Sequence, residues 1–188
     1  MSDQQEPNPA DVEPLSRPQL LAAMAATALI LLLIAKVWLH FEPTQLLFAL
    51  RWQDIGLGIA LGLGISSISA LVYRLWPAYR RSADFYLAFV LAPLVIADSI
   101  WIALLPGMSE ELLFRGVILP SIGLNATGLA VSSLCFGVLH MSGKHQWPYA
   151  IWATLVGFIL GGSALVTGNL LVPIPAHVFS NFISSLCW

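Results

Sequence analysis

From residue 19 to the C-terminus the chain is a succession of apolar runs separated by short polar stretches, without the alternation that marks half-buried strands. About 20 apolar residues cross a bilayer as a helix. The runs predict helices over roughly 19–39, 55–76 and 85–105, the third ending at Pro106-Gly107. A shorter helix is expected over 108–122, then two over about 127–141 and 148–166, and a last one from 169 that Pro173 and Pro175 interrupt. In the second run Gly56, Gly58, Gly62 and Gly64, followed by Ser66 and Ser67, allow close helix approach. A membrane barrel would need polar lumen positions at every second residue. The expected fold is all-α, a multi-pass transmembrane bundle of about six to seven helices with its polar residues inside.

Composition sharpens this reading. Of 188 residues, 58% are hydrophobic and only 10% charged, against about 25% charged in a soluble domain. Eight Lys/Arg against ten Asp/Glu give a net charge of −2 with no basic stripe, which argues against nucleic acid as a partner. Residues 1–18 are polar and carry four prolines and four acids, so a disordered tail is expected, and not a basic signal-peptide leader. The chain then divides into an N-terminal membrane hairpin, 19–84, and a membrane core, 85–188. Arg74, Arg80 and Arg81 crowd the loop expected after the second helix and mark it as cytoplasmic. Cys135 and Cys187 lie in apolar runs and read as small hydrophobes.

From Phe85 onward the only charged side chains are Asp98, Glu110, Glu111, Arg115 and Lys144. Ionisable groups at membrane depth are costly, so each invites a functional reading. On a helix, Glu111 and Arg115 are i,i+4 and can pair. Glu110 points about 100° away from Glu111 and needs another partner, unless both acids only cap a helix start. His140 ends an apolar helix, where a structural histidine is the plain alternative. His177 and Asn181 share one helix face, and as plain helix glue they would need no further role. Asp98 has no evident partner, and His40 and His145 read as interfacial or solvated. Taken together, a carboxylate, two histidines and an asparagine on three apolar helices satisfy one another most cheaply by meeting. A carboxylate beside an imidazole can activate water, and a second imidazole with an amide can stabilise an oxyanion. No G-x-S-x-G elbow is present.

The ordered trio Glu110-Glu111-x-x-x-Arg115, Phe136-x-x-x-His140 and His177-x-x-x-Asn181 resembles the three motifs of the CAAX-protease and bacteriocin-processing (Abi) family, which includes the type II CAAX prenyl endopeptidase. The resemblance spans roughly residues 85–188. It implies an intramembrane glutamate-dependent endopeptidase in which Glu110 and His140 activate water, and His177 and Asn181 form the oxyanion hole. Glu111 and Arg115 would support the site. No cofactor is expected. The alternative is a catalytic zinc on Glu110, His140 and His177, although no H-E-x-x-H is present. The expected partners are the bilayer and a peptide or protein substrate near it, in a bacterial-type plasma membrane. Two other classes remain open: a non-catalytic immunity or scaffold protein, and a proton-coupled transporter, against which the lack of a visible repeat counts.

Overall fold

The computed structural model describes residues 15–44, 46 and 48–187. Of the expected polar tail, residues 1–14 lie outside these. The described residues form an all-α membrane bundle of seven helices: α1 (Arg17–Phe41), α2 (Trp52–Leu75), α3 (Pro77–Leu91), α4 (Ser99–Leu113, continued through a π-turn at Phe114–Ile118 and a last turn at Leu119–Ile122), α5 (Ala126–Leu139), α6 (Trp147–Thr167) and α7 (Pro173–Cys187). Three helices, α1, α2 and α6, are long and apolar enough to cross a membrane, and four spans result if the bent pair α3 and α4 counts as one.

Two prolines do not act as the apolar runs predict. The chain does not stop at Pro106-Gly107, and α4 runs straight through them. A proline inside a membrane helix is tolerated where neighbours cover the freed carbonyl. The break falls earlier, around Pro93, where α3 and α4 meet at 103°. There the Asp98 carboxylate accepts the Val95 N–H at 3.0 Å and the Arg17 guanidinium at 2.7 and 2.8 Å. Asp98 thus has its partner on α1, in residues expected to be part of the tail. Likewise, Pro173 and Pro175 do not interrupt the last helix. They open it, in the first turn, where the missing N–H is no loss. Residues 77–84, expected as a loop, are already helical.

α1 and α2 pack chiefly on the core and not on each other: α1 lies along α4, and α2 along α7. Gly58 and Gly62 make the second contact possible, because a Cβ there would stand 2.6 Å from the Val172 carbonyl oxygen and 2.7 Å from that of Ala176. Gly56 and Gly64 face open space and have no such role. Asn125 caps α5 by accepting the Thr127 and Gly128 N–H groups, which turns the chain back after α4. The buried Gln146 accepts a hydrogen bond from Ser82 at 2.7 Å and ties α3 to the α5–α6 connection.

Gly107 has the same function between α4 and α7. A Cβ on it would meet Val178 at 2.7 Å on the side chain and 3.1 Å on the backbone. Gly107→Ala is therefore expected to force the two helices apart at about 1–3 kcal/mol, read as a lower melting temperature in detergent. An unchanged melting temperature would contradict this packing argument.

Candidate active site

The site is built on the α4–α7 contact that Gly107 permits. Glu110 and Glu111 stand in the last α-helical turn of α4, about 18 Å along the axis from Asp98. Glu111 and Arg115 are both 0% exposed. The i,i+4 pair forms as the sequence predicts, with Arg115 Nη1 donating to Glu111 Oε1 at 2.7 Å. Arg115 Nη2 donates to the Gly157 carbonyl on α6 at 3.0 Å, and its guanidinium lies 4.4 Å from the centre of the Phe136 ring. Arg115 lies in the π-turn, and the Gly116 carbonyl, whose partner one turn on would be Pro120 with no N–H to give, accepts the Leu46 N–H at 3.1 Å. Such local widening of a helix is common at functional sites.

Glu111 does more than pair with Arg115. The same Oε1 lies 2.8 Å from His177 Nδ1, so a carboxylate buried between guanidinium and imidazole joins α4 to α7. A carboxylate accepts, hence Nδ1 carries the proton, and in the neutral ring Nε2 is left with its lone pair. His140 is set the same way by another group: its Nδ1 lies 2.8 Å from the Phe136 carbonyl, one turn back on α5. Its Nε2 is then also an acceptor. Both Nε2 atoms face Glu110, with Oε2 at 3.8 Å from His140 and 4.0 Å from His177. Glu110 Oε2 is shielded from solvent and has no hydrogen-bond partner among the described residues.

Glu110, His140, His177 and Asn181 line one cavity of about 320 Å³. The sequence-predicted residues therefore come together from α4, α5 and α7. His40 and His145 do not join them. Both are exposed, and His145 packs edge-on against Phe85. The cavity walls were not foreseen. One is a stripe of α1 that includes Leu20, Met24, Thr27 and Leu31, so the first helix is more than an anchor. The other is α3 with Tyr149 of α6. Phe136 also has a larger part than its motif suggests, since its ring lies 4.6 Å from that of His140 and 5.7 Å from that of His177. The tyrosines carried no distinct signal, because aromatic residues near helix ends read equally well as interfacial anchors.

Tetrahedral zinc draws its nitrogen and oxygen ligands to roughly 3.3 Å from one another. The separations of 3.8 and 4.0 Å around Glu110 are wider than that, and among the described residues no three His, Cys, Asp or Glu form a metal-holding group. They leave Glu110 Oε2 and His140 Nε2 within reach of a single bridging water.

Residues 85–183 match the family model described as type II CAAX prenyl endopeptidase Rce1-like. The chain belongs to this family. The Rce1-like match contains Glu110, Glu111, Arg115, His140, His177 and Asn181, and excludes α1 and α2. An uncharacterized protein of Bacillus subtilis, YpbD, is 40% identical over 82 residues, which is 44% of this chain and 41% of that protein. The chain thus spans well under half the length of that relative. No solved structure matches.

Proposed function

We propose that this protein is a membrane-embedded endopeptidase that hydrolyses a peptide bond by direct attack of water, without a covalent enzyme intermediate. One observation carries the reading: a buried, unpartnered Glu110 oxygen lies 3.8 Å from His140 Nε2, the nitrogen left with its lone pair by the bond of Nδ1 to the Phe136 carbonyl, inside a membrane cavity. Two acceptors turned toward each other call for a proton donor between them, and water is the smallest that fits. Membership of the Rce1-like family supports the same class of reaction.

In this mechanism the water donates to Glu110 and His140, which take its proton as its oxygen attacks the scissile carbonyl carbon. The carbonyl π-electron pair moves to oxygen, and the oxyanion accepts hydrogen bonds from the Asn181 amide and from His177 Nε2–H. His177 donates there only as an imidazolium, with Nδ1–H held by Glu111. Collapse breaks the C–N bond, and the leaving nitrogen takes the proton held by Glu110 and His140. We assign this chemistry to the core, residues 85–188, with no cofactor, and assign α1 to the cavity wall. The substrate is a peptide or protein at the membrane. The setting is a bacterial-type plasma membrane, with the Arg74, Arg80 and Arg81 end on the cytoplasmic side.

The test is cleavage of a peptide library by purified protein in detergent, with and without a strong chelator, beside Glu110→Gln. Cleavage that survives chelator and is lost in the variant is the expected result. Loss with chelator would place zinc on Glu110, His140 and His177. A folded wild type that cleaves nothing would leave the polar cluster as packing in an immunity or scaffold protein.

A further inference from the structure

We propose that the hydroxyls of Tyr86 and Tyr149 hold the substrate's backbone in the cavity, pairing carbonyls that it exposes once the segment around the scissile bond is extended. The inference rests on the endopeptidase reading above. In a helix each carbonyl is tied to the N–H four residues on, so water reaches a peptide bond only in an unwound segment. Unwound backbone at membrane depth has no bulk water to bond with, and its polar groups must be met by the cavity itself.

A census of donors shows where that happens. Glu110 Oε2 and His140 Nε2 are acceptors, and on the α4–α7 side the donors to the reacting carbonyl are Asn181 and protonated His177. Ser109 is committed to its own helix, donating to the Leu105 carbonyl at 2.7 Å. On the opposite side, Tyr86 of α3 stacks on Tyr149 of α6 with ring centres 4.8 Å apart and 28° between planes. The Tyr149 ring lies 6.1 Å from that of His140, and both tyrosines line the cavity with Glu110. Neither hydroxyl has a hydrogen-bond partner among the described residues. Tyr73, which does not line the cavity, donates to Asp84 at 2.7 Å. Both tyrosines are half-buried, so their hydroxyls are open to the cavity and to what enters it. Tyr79 and Ser184 also line the cavity without a side-chain hydrogen bond among the described residues, but Tyr149 stands against the His140 ring with Tyr86 stacked on it, and these two unspent donors beside the reacting groups point to a ligand that supplies the acceptors.

If the rings only filled the space between α3 and α6, phenylalanine would serve as well. The experiment compares Tyr86→Phe, Tyr149→Phe and the double variant with wild type and Glu110→Gln, on the library peptide that wild type cleaves best. Each single change is expected to lower kcat/KM about tenfold, through KM with kcat nearly constant, as for a contact made equally in ground and transition states. The double variant should lose about a hundredfold at an unchanged melting temperature. A double variant within twofold of wild type, with Glu110→Gln inactive, overturns the tyrosine role and leaves proteolysis standing. A loss confined to kcat also overturns the substrate-holding role. No cleavage by wild type overturns the endopeptidase reading and this inference with it.

Discussion

Arg115→Leu is expected to destabilise the bundle by about 3–5 kcal/mol, because it strands a charge at a place no water reaches. Leucine fills some of the side-chain volume, so the loss is mainly electrostatic. It removes the 2.7 Å partner of Glu111, the 3.0 Å partner of the Gly157 carbonyl and the cation over Phe136 at once. Glu111 is left with His177 as its partner, and the cluster becomes more negative. The measurement is reversible unfolding in detergent micelles, wild type against Arg115→Leu, Glu111→Leu and the double variant. Each single variant should be far less stable, and the double should recover much of the loss, because a buried pair replaced by apolar side chains leaves no orphaned charge. Equal stability of Arg115→Leu and wild type would mean that Glu111 is neutral in the folded protein.

Glu110→Gln is the reverse case, a change expected to spare the fold and remove the activity. The amide keeps the size and shape of the carboxylate but cannot take a proton from water. Loss of a general base of this kind lowers kcat by about 10²–10⁴-fold. Stability should hold or rise, since Glu110 Oε2 is buried without a partner among the described residues and glutamine removes its charge. The combination separates two readings that a single assay would confuse. A scaffold held together by its polar cluster would lose stability and keep its function, whereas a protease keeps its stability and loses turnover. Cleavage by Glu110→Gln at a rate within tenfold of wild type would falsify the role of Glu110 as base.

The different outcomes expected for two adjacent glutamates follow from helix geometry. A step of 100° sends Glu111 toward Arg115 and α7, into a dry contact, and sends Glu110 into the cavity. That difference was legible in the sequence, as were the apolar runs and the grouping of rare polar residues. Helix type follows from them because a backbone in hydrocarbon must satisfy itself. The i,i+4 pairing of Glu111 with Arg115 was legible too, since it needs only one helix.

Contacts between segments distant in the chain were not legible. Pro93 and Pro106 are equivalent in sequence terms, yet only the neighbourhood of Pro93 breaks the helix, where Arg17 clamps Asp98 from 81 residues away. The glycines of α2 look alike until α7 lies against Gly58 and Gly62 and leaves Gly56 and Gly64 free. The second bond of Glu111, to His177, fixes which nitrogen of that ring faces the cavity, and nothing local to either residue implies it. Sequence alone therefore determined an all-helical membrane chain and the small set of side chains that had to find one another. Tertiary structure decided which nitrogens face Glu110, which tyrosines stand beside it and which helices wall the cavity, because those depend on packing between helices and not on the period of any one of them.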